Sequence, residues 1–234
     1  MSRRVVVITG AAGGIGESTV TRFLSLGDEV IGLDIADGFD VTDRIACEKA
    51  AAEIISAHGR IDVLCNVAGV GAVGDVIAAN DSEWQRVFSV NVFGLAHMSA
   101  AVLPAMRAAR SGAIVNVCSV AASVGLVERA VYSASKGAVL SLTRAMAADE
   151  IVHGVRVNCV SPGTVSSPWV ERLAAATPDP DVTMSNLRGR QPLGRLGTCD
   201  EVADAIVYLA APSTFTTGAD FLIDGGITGV RIVE

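Results

Sequence analysis

Aromatic side chains are scarce in this chain, 4% of 234 residues, and charged ones make up only 18%. A core with few rings must be built from Val, Ile, Leu and Ala, and half of the residues are hydrophobic. That palette suits a parallel sheet buried on both faces, whose strands read as short continuous apolar runs. Lysine is scarcer still: Lys49 and Lys136 stand alone among the arginines. The longest basic run is the "RR" near the start, and the formal net charge is −7. Nucleic acid is therefore not an expected partner, because phosphate binding relies on clustered Lys and Arg. No continuous apolar run approaches the length needed to span a bilayer. The apolar part of "MSRRVVVITGAAGG" is too short for a signal-peptide core, so no membrane association is expected. Cysteines 47, 65, 118, 159 and 199 lack metal-ligand spacing, as do histidines 58, 97 and 153. Packed, reduced thiols, structural histidines and no metal are the expectation. A cytoplasmic protein fits these absences best.

What is present is an alternation of apolar runs and helical stretches. "VVVIT" (5–9), "EVIGL" (29–33), "IDVLCNVAG" (61–69), "GAIVNVCS" (112–119), "VRVNCVSPG" (155–163) and "ADFLIDGG" (219–226) read as strands. Helices are expected around 16–26, from about Ser82 to Arg110, from Tyr132 to about His153, and near 200–211. Such alternation argues for an α/β fold, a Rossmann-type doubly wound parallel sheet with helices on both faces. No repeat or linker divides the chain, so residues 1–234 are expected to form a single domain. The only long, irregular, Pro/Gly-rich stretch is 162–199, and its part from about 164 to 199 is expected to be a mobile segment covering a substrate.

The first turn, "TGAAGGIG" (9–16), lies between a strand and a helix. Glycines there let the backbone approach a pyrophosphate and set it against a helix N-terminus, whose free N–H groups favour anions. Gly10, Ala12, Gly14, Ile15 and Gly16 are the candidate contacts. The second strand ends in Asp34, followed by Ile35; a carboxylate there accepts from both adenosine ribose hydroxyls and repels a 2′-phosphate. No Lys or Arg follows to neutralise such a phosphate, which favours NAD over NADP. Further on, "VYSASKGAVL" (131–140) places one of two tyrosines four residues before one of two lysines, on one face of a helix. A cation about 6 Å away, at an effective dielectric near 20, favours the phenolate by roughly 3 kcal/mol, or about two pKa units. Lys136 is thus expected to acidify Tyr132.

Taken together, "TGAAGGIG", "NVAG", Ser119, "YSASK" and "SPGTV", in this order and spacing, resemble the short-chain dehydrogenase/reductase family from about Val5 to Gly226. The resemblance implies Tyr132 as the general acid/base and Ser119 as a hydrogen-bond partner of the substrate oxygen. It implies Lys136 on the nicotinamide ribose and Asn91 holding a water that completes a proton relay. It further implies Asn66, Ala68 and Gly69 along the cofactor and Asp40 and Val41 near the adenine. Pro162, Gly163, Val165 and Ser167 would lie by the nicotinamide. Val67 replaces an Asn that is frequent in the family, and Ser167 a Thr. The six positions from Asp34 to Asp40 leave out a helix and most of a strand, which opens the adenine pocket.

"LCNVAG", "CSVAASVGLVERAVYSASK", "VNCVSPGTVSSPW" and "RQPLGRLGT" are similar to the branch containing cytosolic 3-hydroxybutyrate dehydrogenases and bacterial 2-keto-3-deoxy-L-fuconate dehydrogenases. That likeness implies oxidation of the secondary alcohol of a small hydroxy acid or sugar acid. Arg129 and Arg190 would clamp its carboxylate, with Arg195 a third candidate, since a guanidinium holds both oxygens in a planar fork. Trp169 is expected either to line the pocket or to pack beneath the covering segment. A 3-oxoacyl or neutral ketone or sugar substrate is the alternative, and a catalytically inactive NAD-binding regulatory protein a remote one. The family resemblance also implies a homo-oligomer, tetramer or dimer, through the helices at about 82–110 and 132–153.

Overall fold

The computed structural model describes residues 3–212 and 214–231. The strands are β1 (Val5–Thr9), β2 (Glu29–Leu33), β3 (Val63–Asn66), β4 (Gly112–Val117), β5 (Val155–Pro162), β6 (Val165–Ser166), β7 (Gly197–Thr198) and β8 (Asp220–Ile223). Six of them form one parallel sheet in the order β2-β1-β3-β4-β5-β8, and β6 pairs with β7 apart from it. The helices are α1 (Ile15–Ser25), α2 (Arg44–His58), α3 (Asp81–Phe88), α4 (Leu95–Ala109), α5 (Ala130–Glu150), α6 (Pro168–Ala175), α7 (Pro180–Gly189) and α8 (Cys199–Ala210).

Alternate residues of each central strand feed opposite layers. Val5, Val7, Leu64, Ile114 and Val157 pack with Cys47 and Ile54 of α2, Met98 and Val102 of α4 and Met146 of α5. Val6, Ile8, Val63, Val115 and Val160 meet Phe23 of α1 and Val202, Ile206 and Leu209 of α8. Helices on both faces leave no polar face to the sheet, which is why its strands are continuous apolar runs rather than alternating ones. The order reverses at β1, whose neighbours are β2 on one side and β3 on the other. In open parallel sheets the crevice at the carboxyl ends beside such a reversal is where ligands bind.

Two elements differ from the sequence reading. The helix expected from Ser82 to Arg110 is interrupted by a π-helical turn, Ser89–Gly94, between α3 and α4. Its cause is Asn91, whose side chain is tied to the backbone of Val70: Oδ1 accepts from the Val70 N–H at 2.8 Å and Nδ2 donates to the Val70 carbonyl at 2.9 Å. By length and mean hydropathy alone, the 29 residues Asp81–Ala109 suffice to cross a bilayer, which a scan for unbroken apolar runs does not register. In the fold, α4 puts Met98, Val102 and Met106 into the core.

The stretch 162–199 is not irregular. Ser167 caps α6 and Asp179 caps α7, and a proline opens each helix. Proline is well placed at a first helical position, where its missing N–H has no intrahelical partner anyway. Two of the prolines that make the stretch look irregular are therefore helix starts.

Candidate active site

The carboxyl ends of five neighbouring strands each hand a turn to one cleft of about 970 Å³. Gly10 follows β1, Asp34 follows β2, Ala68 and Gly69 follow β3, Ser119 follows β4, and Gly163 follows β5.

At one end lies the glycine turn. Gly10 has φ +67°, and a Cβ there would sit 2.7 Å from the Ala68 backbone; a Cβ on Gly16 would lie 1.9 Å from the Gly10 carbonyl. The turn is thus packed against β3 as tightly as glycine permits. Helix α1 starts immediately after Gly14 with no side chain capping it, so its N-terminal dipole faces the cleft. Gly10, Ala12, Gly14 and Ile15 line the cleft, whereas Gly16 acts in packing behind it. The Asp34 carboxylate accepts from the Ala12 N–H and the Ala36 N–H, each at 2.9 Å, holding the two turns together. Ile35 beside it is 69% exposed. Asp40 and Val41 also line the cleft, Val41 resting on Gly94, where a Cβ would approach it to 2.6 Å. The cations that reach the cleft, Arg86, Arg129, Lys136, Arg172 and Arg190, are not in either of these turns.

Besides Gly16, Asn66 and Asn91 are the exceptions among the expected cleft residues. Asn66 is 3% exposed, and its amide donates to Ser99 Oγ at 3.1 Å and to Asn116 Oδ1 at 2.9 Å. It belongs to a buried ladder that continues from Asn116 to Thr143 at 2.9 Å, and its side chain does not line the cleft. Asn91, 1% exposed, bonds Val70 as above and Ser135 Oγ at 3.0 Å. It braces the loop after β3 against α5 rather than presenting its own amide to the cleft. Gly69 makes this possible: a Cβ there would stand 3.3 Å from Asn91 Oδ1 and 3.6 Å from Lys136 Nζ.

At the other end Tyr132 and Lys136 share one face of α5, with Nζ 5.8 Å from the ring centroid. Lys136 is 4% exposed and donates to the Val117 carbonyl at 2.8 Å. The separation matches expectation, but the balance of forces does not. Burial pushes the Tyr132 phenol above its ordinary value, and a hydrogen bond with Ser119 pulls it back only in part. Burial also pushes the Lys136 ammonium below its ordinary value. Burial thus costs both charged forms their hydration, a term that the spacing of the two residues does not reveal. Ser119 caps a short 3₁₀ turn, accepting from the Ala121 N–H at 3.2 Å. Beneath it the Cys118 thiol donates to the Lys136 carbonyl at 3.2 Å; a hydrogen bond from Cys159 and the charge of Lys136 lower its pKa. The five cysteines are all free, and Cys118 is the one that reaches the cleft.

Arg129 and Arg190 enter the cleft from different elements, the start of α5 and the end of α7. Burial, then the charge of Arg190, lowers the Arg129 pKa. Neither makes an ion pair among the described residues. Glu128, with φ +56°, sets the turn that aims Arg129, its carbonyl accepting from the Gly74 N–H at 2.9 Å. Arg195 is elsewhere: its guanidinium grips Glu201 at 3.0 and 2.6 Å, so its place as a third clamp is withdrawn. That pair holds the Glu201 carboxyl down at about 2. Its contribution to stability is present above the unfolded carboxylate range near 4.3 and is lost as pH falls through about 2. Arg195→Met is therefore expected to lower the thermal midpoint at neutral pH, with the difference from wild type closing toward pH 2. Calorimetry across that range checks it.

Pro162, Gly163, Val165 and Ser167 line the wall between the two ends, and Trp169 lies over Gly71, where a Cβ would meet its ring at 2.4 Å. Trp169 is thus both wall and packing. Arg86, Arg172 and Thr164 reach the cleft without having been anticipated. For Arg172 the signal was its place in the covering segment; nothing in the local sequence marks Arg86.

A fold of this topology, with a glycine turn, a serine and a Tyr–Lys pair on one cleft, defines a nucleotide-dependent oxidoreductase, and the chain belongs to the short-chain dehydrogenase/reductase family. A family model described as enoyl-(acyl carrier protein) reductase matches residues 10–228. Dehydrogenase/reductase SDR family member 6 of Danio rerio is 39% identical over 95% of this chain and 96% of its own length. The 2-keto-3-deoxy-L-fuconate dehydrogenase of Xanthomonas campestris pv. campestris is 38% identical, covering 94% of this chain and 78% of that protein. Among solved structures, the ligand-free aldohexose dehydrogenase of Thermoplasma acidophilum superposes with a TM-score of 0.92 at 32% identity, over 99% and 98% of the two chains. NADP-bound ElxO gives 0.91 at 25% identity, over 97% and 99%.

Proposed function

We propose that the protein is an NAD-dependent dehydrogenase acting on the secondary alcohol of a small hydroxy acid or sugar acid. The observation that carries this reading is the pair Arg129 and Arg190, two guanidiniums that make no ion pair among the described residues, in the cleft that holds Ser119 and Tyr132. Two like charges that feel each other across one cleft favour an anionic ligand.

The residues present fit a dinucleotide: a glycine cradle that a Cβ would fill, an uncapped helix start for the pyrophosphate, and Asp34 for the adenosine ribose. Asp34 repels a 2′-phosphate and no cation in its turn offsets that, which favours NAD although a relative binds NADP. When bound, the nicotinamide supplies the hydride acceptor. In this reading Ser119 and Tyr132 hold the alcohol oxygen, and Tyr132 takes its proton as the alcohol becomes a ketone. Lys136 lies beside the phenol, where its positive charge would favour the phenolate, while the hydrogen bond with Ser119 and the charge of Arg129 oppose the burial that raises the phenol pKa. Asn91 keeps the loop after β3 seated on α5, and α6 and α7 shield the site from water. The protein would act in the cytoplasm as a homo-oligomer.

Purified protein should reduce NAD faster than NADP, and with 3-hydroxybutyrate or a deoxy sugar acid rather than with free hexoses or simple secondary alcohols. Absorbance at the reduced-nicotinamide band over that panel tests both halves. Preferential turnover of neutral alcohols would favour the aldohexose-type alternative and dismiss the acid.

A further inference from the structure

A carboxylate clamp is only as good as the placement of its arginines, and Arg190 has an unpromising setting. Its side chain is long and exposed, and it caps the end of α7, far in the chain from Tyr132. Something must fix its backbone relative to the reacting end of the cleft. The next residue, Gln191, is 2% exposed, the only buried polar side chain among the described residues from 164 to 199. An amide is costly to bury unless both of its ends are paired. Here both are: Oε1 accepts from the Thr164 N–H at 2.9 Å, and Nε2 donates to the Arg195 carbonyl at 2.6 Å.

The partners are an N–H and a carbonyl, so the amide fits in one orientation only, and neither a carboxylate nor a hydrocarbon can make both bonds. Thr164 follows Pro162 and Gly163 on the cleft wall. Gly163 makes room for the contact, since a Cβ there would lie 2.3 Å from Oε1. Leu193 adds a second tie, its N–H donating to the Gly225 carbonyl at 3.1 Å beyond β8.

We propose that Gln191 is a positioning residue for substrate acids: it locks the backbone carrying Arg190 to the Pro162–Thr164 wall, so that clamp and wall form one unit. This rests on the carboxylate reading of Arg190 given above. The lock works through Arg190, so a binding loss on removing it should appear with acids and not with neutral substrates.

The test is a double-mutant cycle of Gln191→Met, Arg190→Met and both together. It is read as kcat and KM for 3-hydroxybutyrate and a deoxy sugar acid, beside 2-butanol and a free hexose. Hydrogen exchange of the Thr164 amide is followed in each protein. Gln191→Met should raise the acid KM roughly tenfold, about 1.4 kcal/mol, with a smaller change in kcat and no change for the neutral substrates. Its Thr164 amide should lose protection, and the double variant should be no worse than Arg190→Met alone. Gln191→Glu keeps an acceptor for Thr164 and should fall between; it carries the cycle if the methionine variant does not fold. Equal losses for acids and neutral alcohols, or losses that add to those of Arg190→Met, would overturn the proposal and leave the carboxylate reading intact. Wild-type turnover of neutral alcohols alone, with Arg129→Met indifferent, would overturn both.

Discussion

Tyr132→Phe is expected to lower kcat by about 10²–10⁴-fold, the range that a single general acid/base supplies, while coenzyme affinity stays near wild type. The substitution removes one hydroxyl and keeps the ring, which packs beside Ala72, Val87 and Val131, so the fold has no reason to respond. Lys136 keeps its bond to the Val117 carbonyl and Ser119 its cap on the 3₁₀ turn, since neither depends on the phenol. Steady-state turnover and a fluorescence titration with reduced coenzyme separate chemistry from binding. The residual rate of the variant should also lose the pH limb that belongs to the Tyr–Lys pair. Turnover within a few-fold of wild type would remove Tyr132 from the chemistry. Absence of turnover in the wild type, with coenzyme still bound, would favour the regulatory reading.

The second large effect belongs to Arg129→Met. A hydrogen bond to a charged group contributes about 1.5–3 kcal/mol, so kcat/KM for an acid should fall by roughly 10–150-fold. The loss should lie mainly in KM, because the carboxylate is gripped alike before and during the reaction. Methionine keeps the length and apolar stem of the side chain and deletes only the fork. It also relieves the repulsion with Arg190, so the variant should be at least as stable as the wild type. Neutral alcohols should be handled unchanged. An acid KM that does not move would end the clamp assignment and leave the chemistry of Tyr132 untouched.

Much of this was legible in the residues. Continuous runs such as "VVVIT" and "GAIVNV" have to be covered on both faces, and their order gave the parallel sheet before any coordinate did. The glycine turn, Asp34, Ser119, Tyr132 and Lys136 all fall on one cleft because each follows a strand end or opens a helix there. What stayed hidden depends on partners distant in the chain. Asn66 looked like a cofactor contact, but its partners Ser99 and Asn116 turn it inward. Nothing in "SVNVFG" announces a π turn, because the pull comes from the Val70 backbone. The Pro/Gly-rich stretch 162–199 reads as irregular because composition does not show that Ser167 and Asp179 cap helices opened by Pro168 and Pro180. For Tyr132 a pairwise attraction to Lys136 can be written from spacing, whereas the opposing loss of hydration requires the packed surroundings.

The position of β8 has a consequence for synthesis. It is the last strand among the described residues, yet the Gly163 N–H on the cleft wall bonds to its Ile223 carbonyl at 3.0 Å, and Leu193 to Gly225 just beyond. Chains emerge from the ribosome N-terminus first, so β1 to β5 and both arginines are available well before the strand that holds their wall in place. A nascent chain halted before Ile223 would carry every group of the proposed chemistry and still lack a finished cleft. The finished cleft waits on β8.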